Sequence, residues 1–121
     1  MADIRTSVQN ALKIDGCLGA ALVDYKAGMC LATAGHPASA LDHAASGHSE
    51  VVRVTKKIRD ETGLGDPIEE ILITVAGQYH LLRMIGTTLY FYVALDRQKS
   101  NLATARRELE ILEKDLDLEA R

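Results

Sequence analysis

Residues 66–97 read DPIEEILITVAGQYHLLRMIGTTLYFYVALDR, and this stretch decides the fold. Residues 68–76 are apolar and β-branched, and Gly77 interrupts them. Residues 78–85 form a second apolar run, closed by Gly86-Thr87. Residues 88–95 (TLYFYVAL) are the most β-prone segment of the chain. Each run has strand length, and each break offers a glycine able to take φ > 0 in a tight hairpin turn. Three such antiparallel strands make a meander, which excludes a βαβ nucleotide-binding unit from this half of the chain. An apolar meander needs a cover, so helices are expected from the rest of the sequence.

Working outward, residues 17–25 (CLGAALVDY) and 29–34 (MCLATA) form an earlier hairpin around Lys26-Ala27-Gly28. The first of these strands is apolar or small on both faces, with Leu18, Ala20 and Leu22 on one and Gly19, Ala21 and Val23 on the other. Such a strand is covered on both faces. Before it, Ile4, Val8 and Leu12, with Ala11 beside them, mark one face of a short helix that Asp15-Gly16 ends. After it come a loop at Gly35-His36-Pro37 and a capping-box pair, Ser39 and Asp42. The helix that follows carries a stripe of Leu41, Ala44, His48, Val51, Thr55 and Ile58, with Ala45 and Val52 alongside, and Gly63 stands at its C′ position. Gly47 falls mid-helix, where glycine costs about 1 kcal/mol relative to alanine. It either breaks the helix or belongs to a small-residue patch with Ala44, Ala45 and Ser46 that lets another backbone come close.

Past the meander, Leu102, Ala105, Leu109, Leu112 and Leu116 space out a long amphipathic helix. Arg97, Lys99, Arg106 and Arg107 crowd its start, and Glu108, Glu110, Glu113, Asp115, Asp117 and Glu119 its end. That arrangement opposes the helix macrodipole. The resulting order is α-β-β-α-β-β-β-α, an α+β fold, and the 121 residues fit one domain spanning 1–121.

Composition excludes several function classes. Apolar residues are 47% of the chain and the net charge is −3, so bulk attraction to nucleic acid or an anionic membrane is not expected. With no tryptophan, one phenylalanine and four tyrosines, stacking platforms for bases are not expected either. No apolar run reaches the length of a transmembrane helix. The opening MADIRTSVQNALKI is amphipathic and unlike a secretory signal, so the expected location is the cytoplasm.

The chemistry-bearing residues are sparse. There is no GxxxxGK[ST], so the chain is not itself a P-loop GTPase. Gly16-Cys17-Leu18-Gly19 reads as close backbone packing rather than a phosphate cradle. The four histidines are His36, His43, His48 and His80. His43 and His48 miss the i, i+4 spacing of paired ligands, and no Cys-x-x-Cys is present, so no metal site is expected. Placing the hairpin turn at Lys26-Ala27 sets Cys30 opposite Val23 and leaves Cys17 roughly 20 Å along the strand. The two cysteines are therefore expected to be free, buried and inert. Asp24 has no paired carboxylate near it in the sequence. No catalytic residue, cofactor-binding residue or cofactor is expected, and the chain is not read as an enzyme. Arg53, Lys56, Lys57 and Arg59 make part of the middle helix basic, which suits an acidic patch on a partner.

The first hairpin, with Ile14-Asp15-Gly16-Cys17-Leu18-Gly19-Ala20-Ala21-Leu22-Val23-Asp24 and Gly28-Met29-Cys30-Leu31-Ala32, resembles the roadblock family, named for the dynein light chain roadblock. Asn101-Leu102-Ala103-Thr104-Ala105-Arg106 is similar to the opening of that family's last helix. The resemblance runs from residue 2 to about 112. It implies a roadblock/profilin-like five-stranded antiparallel sheet, with the middle helix on one face and the terminal helices on the other. It also implies a homodimer in which third strands pair and middle helices pack, placing Ala44, Gly47, His48, Val51, Ile71, Ile73 and Val75 at the interface. By the same resemblance the dimer is a non-catalytic platform that binds or regulates a Ras-like small GTPase, as a scaffold or activating protein, with Arg53, Lys56 and Lys57 on the partner face. The rival reading is a small-molecule-sensing α+β module of a signalling system, which would carry an apolar cavity inside one protomer.

Overall fold

The structure, a computed structural model, describes residues 1–35 and 38–118, without the side chains of residues 38 and 39. The 36–37 loop, the Ser39 capping pair and Glu119 lie outside the described residues. Three helices and five strands follow the expected order: α1 (Ile4–Ala11), β1 (Cys17–Asp24), β2 (Met29–Gly35), α2 (Ala38–Glu61), β3 (Glu70–Thr74), β4 (Gln78–Ile85), β5 (Leu89–Asp96) and α3 (Leu102–Asp115). The strands form one antiparallel sheet in the order β2-β1-β5-β4-β3. The meander is continuous, and β1 inserts beside β5, which leaves β2 and β3 as the two edges.

Alternation along the strands sorts the side chains into two cores. Ala20, Leu22, Leu81, Phe91, Val93 and Leu95 join Ile4, Val8, Ala105 and Leu109 under α1 and α3. Ala21, Val23, Leu82, Tyr90 and Tyr92 join Leu41, Ala45 and Val52 under α2. The strand residues named here alternate between the two cores with period two. The central strand β5 is buried along almost its whole length, as its apolar sequence requires.

Local signals explain the helix ends. Asp3 caps α1 by accepting from the Thr6 amide at 2.8 Å, and Asn101 caps α3 by accepting from the Thr104 amide at 3.0 Å. Gly63 takes φ +74° after α2, and the Leu64 amide donates to the Arg59 carbonyl at 3.2 Å, the long bond of a Schellman end.

Several expectations need correction. Gly47 does not break α2, which runs unbroken through it. Of the two meander glycines, Gly86 adopts positive φ but Gly77 does not. β3 is shorter than residues 68–76, because Val75 already donates to the Gln78 carbonyl in the turn to β4. The sheet-facing stripe of α2 is also rotated from the expected one. Leu41, Ala45, Ser49 and Val52 are buried, whereas Val51 and Ile58 point outward. Two overlapping apolar stripes exist on this helix, and packing over β1 and β2 selects the one with the smaller residues.

Two of the charges that oppose the α3 dipole, Arg106 and Glu113, have partners on the sheet. Arg106 pairs with Glu70 of β3 at 2.8 Å, and Glu113 accepts from Arg83 of β4 at 2.6 Å. Cross-element pairing of this kind sets the charge order where the macrodipole would set the reverse. No helix among the described residues is long and apolar enough to cross a membrane.

Candidate partner-binding face

The outer side of α2 carries an apolar row at helical spacing: Gly47, Val51, Val54 and Ile58. Val51, Val54 and Ile58 are 37%, 52% and 56% exposed, well above what a helix stripe packed on its own sheet shows. A Cβ built on Gly47 meets nothing within 4 Å, so the middle of the row is an open notch. Ala44 and His48 flank this notch and are half-buried.

Ile71 and Ile73 point to the α2 side, where they are half-buried against the Tyr90–Tyr92 core. Val75 lies past the end of the strand and is 45% exposed. Among the described residues β3 pairs only with β4, so one edge of its backbone is open. Its Glu70 is occupied by Arg106, leaving an uncharged stretch from Ile71 to Val75 along that edge. Short apolar edges of this kind template strand pairing.

The basic residues are placed differently from expectation. Arg53 is not a free outer charge: its guanidinium donates to the Tyr25 carbonyl and pairs with Glu50. Lys56 donates to the Tyr25 hydroxyl at 2.9 Å and lies over the ring at 5.2 Å from its centroid. Tyr25 is itself anchored, since its hydroxyl donates to the Thr87 carbonyl and its amide to the Thr88 carbonyl at 3.0 Å. The first hairpin, the β4–β5 turn and α2 are thereby tied together at one end of the sheet. Lys57 remains exposed, with only a loose pair to Glu61 at 3.8 Å. Together with Lys26 and Asp60 these residues line a solvent-open hollow. Sequence reasoning missed Tyr25 as an organiser, since nothing local marks a contact 28 to 31 residues away.

His48 and His80, the second not singled out by sequence, meet on the α2 side of the sheet. Their ring centroids are 5.8 Å apart, and Tyr92 stands 5.1 Å from His48 and 5.8 Å from His80. Burial lowers both imidazoles below the ordinary histidine range, and the neighbouring His80 lowers His48 further.

Among the described residues no cluster of three or more His, Cys, Asp or Glu side chains could hold a metal ion. Cys17 and Cys30 are free but half-buried rather than fully buried as expected, and Val23 pairs with Cys30 as expected. Burial pushes both thiols up to about 11, with Asp42 adding to the effect at Cys30. Neither has the electropositive setting of a nucleophile. A Cβ on Gly19 would stand 2.3 Å from the Leu41 side chain, so this glycine serves close packing beneath α2.

No family model matches the chain. No curated protein matches it either. Solved structures do. A Roadblock/LC7 domain from Streptomyces avermitilis superposes with a TM-score of 0.83 at 16% identity, covering 94% of each chain. MglB from Myxococcus xanthus gives 0.75 at 15% identity, over 92% of this chain and 85% of that one. The gliding protein MglB from Thermus thermophilus gives 0.74 at 16%, over 89% and 81%. At these identities the likeness shows the fold, and the fold of this chain is the roadblock fold.

Proposed function

We propose that this chain is a single-domain, homodimeric and non-catalytic cytoplasmic platform that binds or regulates a Ras-like small GTPase. Two observations carry the reading together: the outward row Gly47, Val51, Val54 and Ile58 on α2, and the open edge of β3. A two-fold dimer buries both features at once, because the same row and the same edge meet their own copies. Ala44, His48, Ile71, Ile73 and Val75 complete that interface. The GTPase comes from the sequence resemblance, and the likeness to gliding protein MglB supports the fold on which that resemblance rests. Arg53, Lys56 and Lys57 border the α2 face and meet the acidic side of the partner. Tyr25 holds Arg53 and Lys56 in place before the partner arrives, which lowers the ordering cost of binding.

The test has two readouts. Light scattering at micromolar concentration should give twice the chain mass. Titration with a Ras-like GTPase from the same genome, loaded with GDP or a GTP analogue, should show binding that depends on the nucleotide. A monomer that binds neither form overturns the reading.

A further inference from the structure

We propose that His48 and His80 form an acid-sensitive joint between α2 and β4, which holds the helix on the sheet while both rings are neutral and loosens when they take up protons. The joint rests on the geometry of one protomer; its effect on the partner face rests on the proposed dimer.

The two rings and Tyr92 form a mutual contact, each pair of centroids lying within 5.8 Å. Alongside the Tyr90 hydroxyl of β5, which donates to the Ala45 carbonyl, this cluster carries α2 beyond β1 and β2 to β4. The Nδ1 atom of His48 is buried and has no hydrogen-bond partner. In the Nε2–H tautomer that nitrogen is a bare acceptor, whereas in the cation it is necessarily a donor with nothing to donate to. An unpaired buried donor is costly, and a charged one more so. His80 is satisfied through its Nε2 by Gln78 at 2.8 Å. A proton on either ring also places a cation beside the other ring.

Among the described residues of one protomer, nothing around the pair compensates. From β5, Tyr92 contacts both rings, and Tyr90 and the β1 thiol of Cys17 act on Tyr92 in turn. Burial keeps all three in their neutral forms, with Tyr92 pushed up to about 12, Cys17 to about 11 and Tyr90 also raised. From β3, Ile73 stands opposite His80. Among the described residues no carboxylate acts on either imidazole. The folded state therefore binds these protons less readily than the unfolded chain. Stability is full above the unfolded histidine value of about 6.5 and falls as pH drops through it toward the lower folded value. The outward row Val51, Val54 and Ile58 belongs to the same helix, so acid also weakens its presentation.

The experiment is a ring-proton NMR titration of the full chain between about pH 8 and pH 5, with melting temperatures at both ends. His48 and His80 should titrate below about 6.5. The melting temperature should fall with acid, and His48→Leu combined with His80→Phe should flatten that fall. Two imidazoles titrating at or above the ordinary value overturn the joint, and this readout needs no variant to fold. An equal acid-induced fall in a folded double variant overturns it too. A chain that is monomeric at the upper pH removes the dimer, and the titration still decides the joint.

Discussion

Gly19 of β1 and Gly35 of β2 face each other across the strand pair, and the Leu41 side chain of α2 settles into the space both leave. A Cβ on Gly19 would lie 2.3 Å from Leu41 Cδ2. One on Gly35 would lie 2.6 Å from the Leu18 carbonyl oxygen, at a φ of +113° that L side chains rarely adopt. The start of α2 is thus seated on two bare backbone positions.

Gly19→Ala is expected to destabilise the fold by about 1–3 kcal/mol, the usual cost of overpacking a closed site. Leu41 is a flexible neighbour, so Leu41→Ala in the same chain should recover part of that loss by making room. Urea unfolding of the single and double variants measures the coupling. Additive losses would mean that Leu41 is not the obstacle.

Gly47 is the opposite case. It lies in open space on the same helix. Gly47→Ala should raise protomer stability by up to about 1 kcal/mol through helix propensity alone. The added methyl fills the notch where the second helix is proposed to approach, so dimer affinity should drop at the same time. Unfolding at low protein concentration and light scattering across a dilution series separate the two effects. A gain in both quantities would place the helix contact elsewhere.

Val54→Glu tests the apolar row directly. The residue is 52% exposed in the protomer, and changes at such sites usually move stability by no more than about 0.5 kcal/mol. In the proposed dimer the same glutamate would face its own copy without a counter-charge. The variant should keep the wild-type circular dichroism spectrum and sediment as a monomer. Continued dimerisation would remove α2 from the interface.

The thiols give a prediction independent of assembly. With both Cys17 and Cys30 pushed up to about 11, almost none of either is thiolate at neutral pH. Iodoacetamide should label the folded chain far more slowly than the urea-unfolded chain, as read by mass spectrometry. Fast labelling of either cysteine in the folded chain would contradict its burial.

The element order was readable because each strand run is apolar, has strand length and ends at a turn residue. The pairing of Val23 with Cys30 followed from the turn position alone. The facing of α2 was not readable. Leu41, Ala45 and Val52 compete with Val51, Val54 and Ile58 for the sheet, and periodicity gives both sets a helical stripe. The tie from Arg53 and Lys56 to Tyr25, and the meeting of His48 with His80, are tertiary contacts that no local pattern encodes. The resemblance directed attention to α2, and the geometry decides which of its cations are free.

That distinction changes the test of the partner face. Arg53→Glu would delete the bond to the Tyr25 carbonyl and set a second carboxylate beside Glu50, so it damages the fold as well as the surface. Lys57→Glu is the clean variant. Its side chain is 74% exposed and its pair to Glu61 spans 3.8 Å in solvent, which contributes little to stability. Reversing this charge sets two exposed carboxylates at i, i+4, which should cost no more than about 0.5 kcal/mol, and it should slow association with the GTPase, because rim charges act mainly on the on-rate. The slowing should shrink as salt is raised, since exposed charges are screened over about 8 Å at physiological ionic strength. Stopped-flow association at two ionic strengths measures it. Matching wild-type and variant rates at both salts would confine the contact to the apolar row and leave Lys57 a solvated charge.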